Sequence, residues 1–140
     1  MHMDVYGDTL CALVSAAAMA SSGNQVFLHI PDGPVARQLA KGEYPYREPG
    51  LADLMAEQSQ AGRLVLADMD TPPEQQSRVI WLALSPDAVV QAQDILRALP
   101  CNRAQAWLVV NQSTFPVGTS ESLQQVLVEL EAQGESSSTV

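Results

Sequence analysis

Five short apolar runs recur along the chain at residues 3–6 (MDVY), 26–30 (VFLHI), 63–67 (RLVLA), 79–84 (VIWLAL) and 106–111 (AWLVVN). Most are separated by segments of helical character. Runs this short and this continuous suit strands buried on both faces, the condition of a parallel sheet held between two layers of helices. The intervening segments agree. An alanine-rich stretch begins at Thr9 and stops at Gly23, and residues 51–61 place Leu51, Leu54 and Met55 on one helical face. Ser85, Pro86 and Asp87 supply an N-cap, a first-turn proline and an early acid for a helix running to Leu99. Residues 119–133 carry Leu123, Val126, Leu127 and Leu130 at helical spacing, and 33–41 form a weaker helix. Alternation of this kind gives right-handed βαβ units in a doubly wound α/β sheet, ordered 3-2-1-4-5 with helices on both faces. Any ligand then belongs at the carboxyl ends of the first and fourth strands, between residues 7–10, 85–87 and 112–118.

The 140 residues make about one domain, spanning 3–133 with a polar tail at 134–140. With 46% hydrophobic and 16% charged residues the chain folds rather than staying disordered. Its net charge of -9 and single lysine, Lys41, exclude the electrostatic footprint of a nucleic-acid binder. Any nucleotide must be held by local dipoles against that charge. Two cysteines, Cys11 and Cys101, are too few for a disulfide scaffold or a zinc site, and both read as reduced thiols, Cys11 as a small buried residue. No apolar run reaches the roughly 18–20 residues of a membrane span, so the expected compartment is the cytoplasm.

Two segments carry a family resemblance. Tyr44-Pro45-Tyr46-Arg47-Glu48-Pro49-Gly50-Leu51 resembles the P-I-Y-E-P-G-L segment of UDP-glucose and GDP-mannose dehydrogenases, and Ser113-Thr114-Phe115-Pro116-Val117-Gly118-Thr119 resembles their S-T-V-P-V-G-T segment. They stand in the family's order behind a Rossmann-like start. The resemblance implies the amino-terminal NAD-binding domain of that family. By position it implies cofactor contacts at Gly7, Asp8, Thr9, Leu10, Ile30, Ser85, Pro86, Ser113 and Thr114, the last two beside the nicotinamide.

Several of those positions depart from the family. Where it has G-x-G-Y-V-G, this chain reads Gly7-Asp8-Thr9-Leu10-Cys11-Ala12, so a threonine side chain stands where a glycine lets the backbone approach a pyrophosphate. Asp8 adds a negative charge where a helix amino terminus would otherwise attract phosphate, and is expected to cap that helix. Ile30 stands where the family places the acid that binds the adenosine ribose, with Asp32 two residues on. The V-G-T-P turn is shortened to Leu84-Ser85-Pro86, and no G-F-G-G-S-C-F-P-K-D-like stretch carries a catalytic cysteine and lysine. The expectation is a non-catalytic, degenerate relative without catalytic residues, metal or bound cofactor, acting as a regulatory or interaction module. Its partners would be other domains of the same polypeptide, another protein or a second copy. NAD is the cofactor if the family site is retained, which would make the domain a nucleotide sensor or the cofactor-binding part of an active dehydrogenase. His29 reads as a satisfied sheet histidine, Trp81 and Trp107 as core or interface packing, and Tyr44, Tyr46 and Arg47 as a recognition surface or a loop anchor.

Overall fold

The structure, a computed structural model, describes residues 1–100 and 107–137, with side chains described to residue 133. Its elements are β1 (His2–Tyr6), α1 (Leu10–Ser21), β2 (Gln25–Ile30), α2 (Pro34–Ala40), α3 (Leu51–Gln60), β3 (Leu64–Asp68), β4 (Val79–Leu82), α4 (Val89–Arg97), β5 (Leu108–Asn111) and α5 (Thr119–Ser137). The five strands form one parallel sheet in the order β3-β2-β1-β4-β5, as the alternation predicts. Each sequence-predicted strand is present, β4 ending at Leu82 rather than residue 84 and β5 starting at Leu108. Helix α5 runs on to Ser137, past the predicted end at residue 133 and into the expected tail.

Period-two alternation sorts the side chains of β1, β4 and β5 between two cores, while β2 and β3 contribute to one of them. On one face Met3 and Val5 of β1, with Val26, Leu28 and Ile30 of β2, pack under the alanines of α1 and under Leu51 and Met55 of α3. Small residues bring α1 close to the strands: Ala12, Ala16, Ala17 and Ala20 are all fully buried. On the opposite face Tyr6 of β1 joins Ile80 and Leu82 of β4, Leu96 of α4, and Leu123 and Val126 of α5. The chain crosses from one layer of helices to the other between β3 and β4. That reversal leaves the carboxyl ends of β1 and β4 adjacent, with their loops diverging.

Two local expectations are corrected. Ser85 does not cap α4: its hydroxyl donates to the Asp87 carboxylate at 2.8 Å, and a turn closed by Ala88 N–H on the Ser85 carbonyl at 3.0 Å precedes the helix. With the serine side chain spent inside the turn, α4 begins at Val89 without a side-chain cap. Cys11 is exposed rather than buried, because the buried stripe of α1 is Ala12, Leu13, Ala16, Ala17 and Ala20 and Cys11 falls beside it. Cys101 lies outside the described residues. Among those described, no helix is long and apolar enough to cross a membrane.

Candidate functional site

The crevice between β1 and β4 is built around Gly7. Its φ of +141° suits glycine, its N–H donates to the His29 carbonyl at 3.0 Å, and a Cβ there would stand 2.1 Å from the carbonyl oxygen of Ala83. Nothing but hydrogen fits between the two strands. Thr9 follows with extended backbone and caps α1: its Oγ1 accepts from Ala12 N–H at 3.2 Å and donates to the Ala83 carbonyl at 3.0 Å. The cap is therefore Thr9 and not the expected Asp8, since an N-cap side chain reaches the amide three residues on and Asp8 stands one residue too early. The first two amides of the helix, those of Leu10 and Cys11, have no acceptor one turn back. Replacing Thr9 by alanine is expected to cost about 1 kcal/mol, seen as a lower urea midpoint at unchanged slope.

Tyr46 reaches in from the loop after α2. Its hydroxyl donates to the Asp8 carbonyl at 2.7 Å, so of the two readings for this aromatic loop the anchor is the one realised for Tyr46. Burial first, and then the Asp8 charge, raise this hydroxyl above its ordinary value, which keeps the proton it donates. On the β4 side the Leu84 N–H donates to Ser113 Oγ at 2.8 Å, and the Ser113 N–H donates to Asn111 Oδ1 at 3.1 Å. Ser113 thus ties the ends of β4 and β5 together. Neighbouring Gln112 accepts on one oxygen from Ser15 of α1 at 2.8 Å and from the Trp81 indole at 3.0 Å. Sequence reading placed Gln112 only in the lining, because an exposed glutamine carries no local signal of a bridging role.

The remaining predicted positions are more dispersed. Ile30, at the end of β2, is 5% exposed, packs into the α1 core and has no hydrogen-bonding side-chain atom. Asp32, Pro86 and Thr114 are exposed. The structure brings Gly7, Thr9 and Ser113 together around residues 83–84, and leaves Asp8 engaged through its backbone carbonyl.

Beneath the crevice lies a polar cluster that sequence reading half found. His29 is satisfied, as expected: its Nδ1 bonds to the Asp68 carbonyl at 3.0 Å and its Nε2 to Asp4 Oδ1 at 2.6 Å, with both side chains buried. A carbonyl only accepts, so Nδ1 carries hydrogen and a further proton is shared between Nε2 and Asp4. The Tyr6 ring stacks on the imidazole, centroids 4.2 Å apart and planes 9° apart. Burial, then the Asp4 charge, push the Tyr6 hydroxyl far above its ordinary range and keep it protonated. The signal for the partnership was an ionisable residue inside each of two apolar runs, Asp4 in 3–6 and His29 in 26–30.

The sequence model of the NAD-binding domain of the UDP-glucose/GDP-mannose dehydrogenase family matches residues 1–140. The chain belongs to the UDP-glucose/GDP-mannose dehydrogenase family. Among this family's curated members, it is 31% identical to a UDP-glucose 6-dehydrogenase of Pseudomonas aeruginosa over 91% of the chain and 30% of that protein. A UDP-glucose 6-dehydrogenase of Rhizobium meliloti is 27% identical over 92% of the chain and 31% of its own length. The chain thus spans about a third of the relatives it matches. Among solved structures, a UDP-D-ManNAc dehydrogenase from Pyrococcus horikoshii superposes with a TM-score of 0.78 at 23% identity, over 94% of this chain and 33% of that one. A GDP-mannose dehydrogenase from Pseudomonas aeruginosa gives 0.72 at 20% identity over 96% and 32%. These likenesses establish the shared Rossmann-like fold.

Proposed function

We propose that this domain keeps the family scaffold as a non-catalytic regulatory or interaction module and does not bind NAD in the pose of the family. Thr9 carries the reading. Its side chain stands at the fingerprint's second glycine, and its hydroxyl is committed to both Ala12 N–H and the Ala83 carbonyl. A pyrophosphate approaching the helix amino terminus therefore meets a side chain where the family offers bare backbone, and finds one of the early amides already taken. Ile30 adds to this. A buried isoleucine offers the ribose hydroxyls no acceptor, and Asp32 lies past the strand end. On this reading the residues present do not fit the dinucleotide. The partners on this reading are other domains of the polypeptide, another protein or a second copy, in the cytoplasm.

A second reading, a nucleotide sensor, is favoured by the Leu10 and Cys11 amides, which α1 leaves without acceptors at the crevice. Calorimetric titration with NAD separates the two. The first reading expects no heat up to about 1 mM NAD, and expects Thr9→Gly, alone or with Ile30→Asp, to gain affinity if those two positions account for the loss. Thermal unfolding of each variant without ligand establishes that it is folded. Micromolar binding by the unaltered chain would overturn the proposal and leave the sensor or dehydrogenase reading.

A further inference from the structure

A parallel crossover normally lays a helix on the sheet, but the connection from β3 to β4, residues 69–78, has none. Pro72 and Pro73 explain this, because tandem prolines remove amide donors and push the preceding residue out of helical conformation. The connection instead makes two tight turns, closed by Thr71 N–H on the Asp68 carbonyl and by Ser77 N–H on the Glu74 carbonyl, and its first half faces α4. Between the two lies a cleft of about 420 Å³, within the range of small-molecule sites.

The lining has a definite chemistry. Pro72, Pro73 and Ile95 form apolar walls, Asp70 and Asp94 are exposed carboxylates in the lining, and no lysine, arginine or histidine lines it among the described residues. Arg97 approaches Asp94 only at 3.8 Å with both side chains more than half exposed, which is a weak, screened contact. Tyr6 also lines the cleft. Its side chain is 2% exposed, and its hydroxyl has no hydrogen-bond partner among the described residues. The oxygen itself is not among the fully enclosed side-chain atoms without a partner, so it meets the cleft's solvent, where it retains its proton and is available as a donor.

We propose that this cleft binds a small organic cation, a protonated amine on a compact apolar body bearing a hydrogen-bond acceptor for Tyr6. The ammonium sits between Asp70 and Asp94, the body lies against Pro72, Pro73 and Ile95, and the acceptor meets the Tyr6 hydroxyl. The net charge of -9 raises the local concentration of such a cation and lowers that of anions. The site is distinct from the crevice above Gly7, so its test is independent of whether NAD binds there.

The probe is 4-methoxybenzylamine, titrated into the whole chain and followed by amide chemical shifts. Its neutral and anionic counterparts, 4-methoxybenzyl alcohol and 4-methoxybenzoate, serve as controls. The expected dissociation constant is about 1 mM or below, a reasonable affinity for a ligand this small, with shifts confined to residues 69–73 and α4. Tyr6→Phe keeps the stacked ring and removes only the unpaired hydroxyl. It should unfold at the temperature of the unaltered chain yet bind about fivefold more weakly or worse. Asp70→Asn with Asp94→Asn should remove the preference for the amine over the alcohol. Absence of binding at about 10 mM, equal binding of the benzoate, or affinity unchanged in both variants would each overturn the proposal.

Discussion

Replacing His29 by alanine is expected to destabilise the fold by about 3–5 kcal/mol, a large part of the stability of a domain this size. The loss comes less from the histidine than from what it leaves behind. Asp4 is fully buried, Oδ2 already lacks a hydrogen-bond partner among the described residues, and Oδ1 would lose its 2.6 Å contact to Nε2. A carboxylate in that position has neither water nor a counter-group, and the stacking of Tyr6 on the imidazole goes with it. The double substitution Asp4→Leu with His29→Leu should recover most of the loss, because two apolar side chains of similar volume need no partner there. Urea unfolding of the two single variants and the double variant forms a cycle with a coupling of several kcal/mol. A His29→Ala midpoint close to that of the unaltered chain, or a double variant weaker than either single one, would refute this account of the pair.

The pair also marks where reading the sequence stops. Strand positions, strand order and the switch-point crevice followed from the spacing of apolar runs, although burial on both faces is realised only in β1, β2 and β4, the edge strands β3 and β5 leaving Val65, Leu66 and Leu108 exposed. The family followed from two loop segments. What the sequence did not disclose were relations between residues far apart in the chain: Asp4 with His29, Tyr46 with the Asp8 carbonyl, Gln112 with Ser15 and Trp81. Propensity and periodicity describe a residue's own neighbourhood, and these contacts are set by sheet register and loop path. The misplaced caps have a similar origin. Asp8 and Ser85 are both good capping residues by type, but Thr9 stands in the position that reaches Ala12 N–H, and Ser85 is held in a turn by Asp87.

Gly7→Ala is expected to be among the most damaging single substitutions in the chain. The new Cβ would stand 2.1 Å from the Ala83 oxygen and 2.7 Å from its carbon, and both belong to backbone that cannot rotate away. Relief requires β1 and β4 to part just where Ala83 N–H donates to the Tyr6 carbonyl at 2.9 Å. A loss of more than about 3 kcal/mol, or failure to fold, follows from the clash added to the positive φ. Gly23→Ala supplies the control. That glycine has a φ of +97°, but an alanine methyl there would meet no heavy atom within 4 Å, so the substitution should lose only the roughly 1–2 kcal/mol of left-handed backbone. The difference between the two in urea unfolding isolates the steric share, and similar losses at both sites would refute it. This bears on how the fingerprint is interpreted. Gly7 is demanded by the contact between two strands whether or not a nucleotide lies above them, so its presence reports on the scaffold, whereas Thr9 and Ile30 bear on the ligand.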